Sequence, residues 1–368
     1  KAGLIETVGS GEPRIDYKDD VNGSLLLEPQ RTNSITYSED FSQSAWAKSG
    51  TSVVSGFTSP YKTENAFKLV ESTSNQAHTI TSSTGTVTSG ATTTKSIIVK
   101  PNGRRWILLL DIQKPSSRAW FDLELGVVGS LQSEAISSNI EKLSNGYFRC
   151  SSTSSVNGTS STLRMDIVQG DNITTGYQGD GTSGVYIYAA QLEEGSYPTS
   201  YIPTQGSAVT RLEDACTNGG NEQVINSTEG VLYAEISALA NGGDDRQISI
   251  SSGSTSNRVS FQYNSSTNLL AMFVFIGGVA QETFTYTVAD STNISKVALK
   301  YKANDCSFYV NGVEVSSGIA FTGFSASTLS TLSFNRGSTS SPLYGNVKDV
   351  RVYNTALTDS ELQKLTTI

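Results

Sequence analysis

The sequence predicts an all-β fold made of two antiparallel β-sandwich domains of the jelly-roll type in tandem, with one short C-terminal helix. Three observations favour it. Apolar segments of about five to eight residues recur between clusters of Ser, Thr, Gly and Asn, as is typical of strands joined by turns. The 368 residues exceed the size of one ordinary sandwich. Charged residues make up only 16% of the chain, a composition that favours strands and turns over helices.

Composition argues against several classes of partner. The formal net charge of -8 is spread along the chain without a cluster of Lys or Arg, so we expect no nucleic-acid partner. No run reaches the roughly 18 apolar residues of a membrane span, so we expect no membrane insertion. The odd number of cysteines, Cys150, Cys216 and Cys306, predicts no disulfide framework. Because the chain begins with Lys1 rather than Met, we expect its natural N-terminus to be missing.

Residues 1–34 predict an extended lead-in to the first domain. Residues that favour turns surround one compact apolar run, Leu25 to Leu27. Asn22-Gly23 is typical of a turn, so we expect a short strand or hairpin around it.

Residues 35–212 predict the first sandwich, because several segments alternate apolar and polar residues with period two. In residues 119–125 this alternation directs Phe121, Leu123 and Leu125 towards a core. The same alternation in residues 163–167 directs Arg164 and Asp166 to the opposite face, which is exposed to water. That face is expected to carry Trp120, Asp122, Glu124, Arg164 and Asp166.

A stretch rich in Pro, Gly and polar residues then predicts a linker over 213–227, and the strands that recur over 228–368 predict the second sandwich. Asn311-Gly312 predicts a hairpin turn, because both residues tolerate the positive φ angles of tight turns. Thr358, followed by Glu361, predicts the start of the C-terminal helix, with Leu362 and Leu365 on one face.

A set of segments in the first half of the chain resembles a domain that is common in bacteriophage tail and appendage proteins. The resemblance covers about residues 12–212 and implies a jelly roll similar to carbohydrate-binding modules. It rests on Glu12–Tyr17, Leu25–Asn33, Tyr37–Ser42 with Trp46, Asn145–Cys150 and Ala190–Thr204.

A second set resembles a laminin-G-like, concanavalin A-like sandwich over about residues 228–368. It comprises Lys300–Asn304, Phe308–Gly312, Gly345–Tyr353 and Leu357–Leu362. Both kinds of domain are widely used to bind glycans, and both also serve as spacers or trimer-packing units, so the resemblance alone leaves these uses open.

The sequence offers little for catalysis. His78 is the only histidine, which leaves no Ser-His-Asp triad elsewhere and no multi-histidine metal site. Some polysaccharide lyases use a Gln-x-His strand like Gln76 to His78, but no Arg-rich strand accompanies it here. Glycosidases of the concanavalin type need paired carboxylates on one strand face, and the pair Asp122 and Glu124 is equally typical of a wet strand surface. We therefore expect no enzymatic activity.

Sugar binding needs an aromatic face flanked by polar groups that hydrogen-bond to hydroxyls. The predicted glycan-binding set is Trp120, Asp122, Glu124, Arg164 and Asp166, and packing of Trp120 on a neighbouring subunit is the alternative. Tyr186 and Tyr188 share one strand face, which the sequence cannot show to be open or covered. By resemblance to sandwich glycan-binding modules, a structural Ca²⁺ is expected at Asp40 with Gln191 or Glu193. The alternative is that these acids are solvated or cap turns.

The predicted function is that of a phage appendage component, part of a tail fibre, tailspike or head fibre, that binds host-surface or extracellular polysaccharide without cleaving it. The resemblance implies a homotrimer that contacts other virion proteins. We expect it in the virion, after assembly in the bacterial cytoplasm. Three alternatives remain open: a secreted, accessory glycan-binding region of a polysaccharide-degrading enzyme, a purely structural virion protein, and, least favoured, a glycan lyase or hydrolase.

Overall fold

The computed structural model describes residues 8–9, 11–17, 21–216, 219–319 and 321–368. The chain forms two compact units. The first comprises Gln30–Leu212, and the second comprises Val8–Pro29 together with Glu213–Ile368. In the part of the chain that the structure describes, no helix is long and apolar enough to span a membrane.

The N-terminal strands and those of the first unit are, in chain order, β1 (Ile15–Asp16), β2 (Ser24–Leu27), β3 (Arg31–Asn33), β4 (Trp46–Ser49), β5 (Thr51–Phe57), β6 (Ala66–Glu71), β7 (Asn75–Gln76), β8 (His78–Ser82), β9 (Gly85–Thr86), β10 (Thr92–Asn102), β11 (Trp106–Asp111), β12 (Lys114–Asp122), β13 (Val127–Leu131), β14 (Ala135–Lys142), β15 (Phe148–Ser155), β16 (Ser160–Ser161), β17 (Leu163–Val168), β18 (Tyr177–Gln178), β19 (Gly184–Glu194) and β20 (Val209–Arg211). The remaining elements are β21 (Glu229–Ala238), β22 (Arg246–Ser251), β23 (Arg258–Tyr263), β24 (Leu269–Ile276), β25 (Val279–Thr287), β26 (Ser295–Lys302), β27 (Cys306–Val310), β28 (Val313–Ile319), β29 (Thr331–Ser333), β30 (Gly345–Tyr353) and the helix α1 (Asp359–Thr366).

The first unit is a sandwich of two six-stranded antiparallel sheets. The front sheet has the order β14-β15-β10-β19-β6-β5, and the back sheet has the order β13-β12-β11-β17-β8-β4. Alternate residues of each sheet meet in one apolar core, as the period-two pattern predicts. Front-sheet members of this core include Ile97, Val99, Val185 and Ile187, and back-sheet members include Ile107, Leu109, Phe121, Met165 and Ile167.

One end of this core is polar. Lys95 continues the inward row of Ile97 and Val99 on β10, and Asp111 continues the inward row of β11. Their Nζ and Oδ2 atoms lie 3.1 Å apart, and both side chains are fully buried. Burial, more than the attraction of Asp111, sets the pKa of Lys95, which is lowered. This ion pair joins the two sheets across the interior.

The second unit is also a sandwich. Its seven-stranded sheet has the order β1-β2-β30-β21-β26-β27-β28, and its five-stranded sheet has the order β25-β24-β23-β22-β29. The core between them includes Leu232, Ile248, Phe261, Met272 and Phe308. With the first unit, this confirms the predicted all-β class of two antiparallel sandwiches.

Most of the expected lead-in, and the expected linker, belong to the second unit. The turn at Asn22-Gly23 does join a hairpin, in which Ile15 faces Leu25, but β2 also pairs with β30 through Leu25 and Val347. The expected lead-in thus supplies two strands to the second unit. Within the expected linker, Ile225 belongs to the core of the second unit. Local sequence patterns cannot show such pairing between segments more than 300 residues apart. Residues 1–7, 10, 18–20 and 217–218 lie outside the described residues.

Two local predictions for the second unit are confirmed. Asn311 and Gly312 have φ angles of 51° and 81°, and Val310 faces Val313 across the turn. The side-chain oxygen of Thr358 accepts from the backbone N–H of Glu361, whose carboxylate accepts from the backbone N–H of Thr358. Leu362 of α1 is buried against the outer side of the seven-stranded sheet.

Replacing Asp111 with Ala should destabilise the first unit by about 3–5 kcal/mol, because Lys95 would remain buried without its partner. Glu134→Gln, which removes a half-exposed partner of Lys114, is the matched control and should cost about 0–1 kcal/mol. Urea unfolding followed by intrinsic fluorescence measures both. A loss below about 1 kcal/mol for Asp111→Ala would contradict the assigned role of the pair.

Candidate functional site

The outer face of the front sheet combines aromatic and basic side chains. Its central row crosses four neighbouring strands, because Val54 faces Lys68, Lys68 faces Tyr186, and Tyr186 faces Lys100. Facing residues on one side of a sheet lie about 4.5–5.5 Å apart at Cβ. Lys68, Tyr186 and Lys100 are half-buried, and Val54 is exposed. The outer front face is defined here as Val54, Phe57, Lys68, Lys100, Asn102 and Tyr186.

Tyr186 is held at the centre of this face by two contacts. Its ring centroid lies 4.8 Å from that of Phe57 at an interplanar angle of 50°. Its hydroxyl accepts a hydrogen bond of 3.0 Å from the side-chain amide of Asn102. A ring fixed from two sides loses little conformational entropy when a ligand packs on its open part.

A β-bulge in β19 determines where this face ends. The pairing with β10 shifts between Ser96 and Ile98, and Ala189 at the bulge has a φ of 50°, which is unusual for a residue other than glycine. The extra residue keeps Tyr188 on the outer side while Ala190 points into the core. Beyond the bulge, the outward side chains Gln191 and Glu193 of β19 bind Ile202 and Thr199 of the following segment.

A tyrosine cluster borders the outer front face at this end. The hydroxyls of Tyr188 and Tyr201 donate to the carboxylate of Glu39 at 2.8 and 3.2 Å. The amide of Asn65 donates to the same carboxylate at 3.2 Å. Tyr61 packs edge-on against Tyr188, with ring centroids 5.8 Å apart.

Burial raises the pKa values of the phenols on this side of the sheet. It raises the pKa of Tyr61 to about 12, with Glu39 adding to the effect. It also raises the pKa of Tyr147 to about 12, and the hydroxyl of Tyr147 donates to the backbone oxygen of Thr58 at 2.8 Å. The pKa of Tyr188 and that of Tyr201 are raised for the same reason.

The expectation that Trp120 faces water is wrong. The predicted alternation of side chains is confirmed, because Phe121 points into the core and Trp120 points away from it. However, Trp120 is 0% exposed and packs with Leu108 and Val168. Its indole N–H donates to the backbone oxygen of Ile173 at 3.0 Å. The outer side of the back sheet is therefore covered at this point, so the indole offers no open surface to a sugar.

The other members of the predicted glycan-binding set are engaged in ion pairs or turns. Asp122 ends β12 and binds Arg105, which holds the pKa of this carboxyl below its usual value. Glu124 follows in the turn and lies 3.4 Å from Arg105. Arg164 binds Asp166 through two hydrogen bonds of 2.7 and 2.9 Å. Burial outweighs this partner and raises the pKa of Asp166.

The structure also separates Trp120 from the pair on β17, since β11 lies between β12 and β17. Leu125, expected in the core, lies after the end of β12 and is 68% exposed. The sequence cannot show where a strand ends. The predicted alternation of inward and outward residues was therefore extended past the end of β12.

The residues expected to bind calcium are engaged in hydrogen bonds within the protein. Glu193 accepts from the backbone N–H and the hydroxyl of Thr199 at 3.0 and 2.6 Å and from the amide of Gln191 at 2.6 Å. The side-chain oxygen of Gln191 accepts from the backbone N–H of Ile202. Asp40 caps its own turn by binding Ser42 and Gln43. Within the described ranges, no group of three His, Cys, Asp or Glu residues is arranged to hold a metal ion.

His78 is enclosed rather than poised for catalysis. It is 0% exposed, and its two ring nitrogens lie 2.6 and 3.1 Å from the backbone oxygens of Gly50 and Tyr177. Its ring also packs against that of Tyr177, with centroids 4.5 Å apart. Both ring nitrogens therefore face backbone oxygens inside the protein, and a neutral imidazole donates to one of the two.

The outer front face was only partly visible in the sequence. The alternation of Tyr186 and Tyr188 with Val185 and Ile187 correctly placed both tyrosines on one face. Lys68, Lys100 and Phe57 come from other strands, and only strand order brings them to Tyr186. Trp46, expected in the core, is buried and donates to the backbone oxygen of Tyr37 at 2.8 Å.

Comparison with known proteins supports the class of the second unit. A family model described as the concanavalin A-like lectin/glucanases superfamily matches residues 221–363, less than half of the chain. This agrees with the resemblance seen in the sequence over about residues 228–368. No curated protein matches the chain.

Solved structures give only distant similarities. The leech intramolecular trans-sialidase with 2,7-anhydro-Neu5Ac is 17% identical over 42% of this chain and 27% of its own, with a TM-score of 0.33. The CBM40 of Ruminococcus gnavus IT-sialidase bound to α2,3-sialyllactose is 14% identical over 42% of this chain and 96% of its own, also with a TM-score of 0.33. Domains LG4-5 of the mouse laminin α1 chain are 10% identical over 95% of this chain and 96% of their own, with a TM-score of 0.28. Similarities of this size say nothing about what this chain binds.

The raised tyrosine pKa values predict a loss of stability at alkaline pH. A phenol that ionises near pH 10 when unfolded but near 12 when folded contributes stability that is complete below pH 10 and is lost as the pH rises towards 12. Urea unfolding between pH 8 and 11 should therefore show a decline above pH 10. Tyr61→Phe, which removes one such hydroxyl, should show a shallower decline, and equal slopes for both proteins would contradict this assignment.

Proposed function

We propose that the first unit binds a polysaccharide on the outer front face and does not cleave it. The observation that carries the proposal is the row in which Tyr186 lies between Lys68 and Lys100. The C–H side of a pyranose packs on an aromatic ring, and ammonium and amide groups hydrogen-bond to its hydroxyls or acidic groups. The row offers both kinds of contact on one partly open surface.

The chain is, on this proposal, a component of a bacteriophage appendage such as a tail fibre, tailspike or head fibre, and its ligand is host-surface or extracellular polysaccharide. The resemblance of residues 12–212 to appendage domains supports this assignment. A homotrimer on a virion would present several copies of the outer front face, and linked sites gain avidity without any new contact. The other virion proteins are its proposed structural partners.

The absence of cleavage is part of the proposal. His78 is enclosed with its ring nitrogens against backbone oxygens, and Asp122 is bound to Arg105, so neither group is positioned to act on a bound glycan as an acid or base. A structural Ca²⁺ at Asp40 with Gln191 or Glu193 stays a prediction, which the electrophoresis with and without Ca²⁺ below addresses.

Affinity electrophoresis on a panel of bacterial and algal polysaccharides, with and without Ca²⁺, tests the proposal. We expect retardation by at least one polysaccharide without release of reducing ends or of unsaturated, absorbing products. Release of oligosaccharides would contradict a purely binding function. Lack of retardation by every member of a panel that includes the host polysaccharide would contradict glycan binding.

For the polysaccharide that retards the protein, Tyr186→Ala should weaken binding about tenfold or more, because the ring surface is lost. Tyr186→Phe keeps the ring and should lose much less. Ile136→Ala, which alters an exposed apolar residue on β14, is the control and should bind like the wild type. Equal dissociation constants for Tyr186→Ala and the control would place the glycan elsewhere.

A further inference from the structure

The outer side of the five-stranded sheet in the second unit is polar although it is buried. Residues of β22, β23 and β24 that alternate with the core face outward in register. Gln247 faces Gln262, Ser249 faces Ser260, and Ser251 faces Arg258. All six side chains are less than 5% exposed.

Several polar atoms on this side have no partner. Folded proteins satisfy nearly all buried polar groups with the protein, with water or with a ligand. Among the described residues, ten buried side-chain atoms form no hydrogen bond. Four of them belong to this side of the sheet or to the loop above it: Gln247 Oε1, Arg258 Nε, Ser260 Oγ and Arg336 Nε.

Arg258 is a buried cation without a carboxylate. Its guanidinium lies over the ring of Phe275, 3.8 Å from the centroid, and it donates to the backbone oxygen of Thr255. Burial, and then the charge of Arg336, lower its pKa to about 10. Within the described ranges, neither arginine forms an ion pair. Two guanidinium groups without an anion repel each other, and a buried one also loses its hydration.

The loop that carries Arg336 is fixed on the sheet by backbone contacts. The hydroxyl of Ser249 donates to the backbone oxygen of Asn335 at 2.8 Å. The backbone N–H of Gln247 donates to the backbone oxygen of Ser341 at 3.1 Å. Gly337 has a φ of 84°, and a Cβ added there would lie 2.7 Å from the backbone oxygen of Ser254. These contacts fix the backbone of the loop that carries Arg336 over β22 and against the turn that precedes Arg258.

We propose that Arg258 and Arg336 form a recognition site for an oxyanion, the carboxylate of a uronic acid or the sulfate ester of an acidic glycan. Their guanidinium groups supply the charge and planar donors that such anions bind. Phe275, half-buried, packs its ring against the Arg258 guanidinium and fixes its plane. The identification of the anion as part of a glycan rests on the proposed function, whereas the anion site itself does not.

Thermal unfolding in low-millimolar sodium sulfate, compared with sodium chloride of equal ionic strength, tests the anion site. The wild type should show a saturable rise of Tm in sulfate, and Arg336→Gln should lose it. Lys302→Gln, which removes an exposed positive charge from the same unit, is the matched control and should keep the rise. Equal rises in the wild type and Arg336→Gln would overturn the proposal, because general stabilisation by sulfate does not depend on one arginine.

Arg258→Met provides a second test that does not require a ligand. It removes the buried charge and the repulsion from Arg336, so its Tm in chloride should equal or exceed that of the wild type, with no further rise in sulfate. If Arg258→Met is much less stable than the wild type, Arg258 is a structural cation and the proposal fails.

Calorimetric titration with a glucuronate oligomer, a sulfated oligosaccharide and a neutral oligosaccharide identifies the source of the anion. Binding that weakens at least tenfold in Arg336→Gln supports a carboxylate or a sulfate ester, according to which oligomer binds. If all three oligomers bind both proteins equally, the anion site is wrong, but glycan binding at Tyr186 stands. If sulfate acts through Arg336 but none of the three oligomers binds, the anion site stands and its assignment to an acidic glycan fails, whereas the polysaccharide panel decides the proposed function.

Discussion

The ion pair between Lys95 and Asp111 joins the two sheets of the first unit from the inside, and the outer front face depends on it. Residues alternate between the two sides of a strand, so the strand that directs Lys95, Ile97 and Val99 inward must direct Lys100 and Asn102 outward. A slip of β10 by one residue would expose the buried lysine and bury the outer one. The pair therefore helps to fix the register that places Lys100 opposite Tyr186.

Local chemistry was predictable from the sequence, and long-range pairing was not. The Asn311-Gly312 turn and the Thr358 cap follow from residues that lie within four positions of one another, and both are present. The role of β2 depends on β30, more than 300 residues away, and no local pattern reveals it. For the site, the alternation correctly grouped Tyr186 with Tyr188. It could not show that Trp120, on an equally outward position, is covered by a loop.

The two units offer different chemistry. The outer front face of the first unit is partly open and combines a tyrosine with two lysines on neighbouring strands. The polar side of the second unit is nearly closed and contains two arginines without a carboxylate among the described residues. The first suits the rings and hydroxyls of a sugar chain, and the second suits an acidic group. A polysaccharide with uronic acid or sulfated units would satisfy both, which is why the two sites can be tested with related ligands.

The most direct measurement is an NMR titration of protein labelled at tyrosine rings, with oligosaccharides prepared from a polysaccharide that retards the protein. If the outer front face binds the glycan, the ring signals of Tyr186 shift with saturation, while those of Tyr233 and Tyr309 in the second unit stay unchanged. The ring signals of Tyr186 are assigned as those that disappear from the spectrum of the Tyr186→Phe variant. A saturating shift of other tyrosines with no change at Tyr186 would contradict the placement of the site.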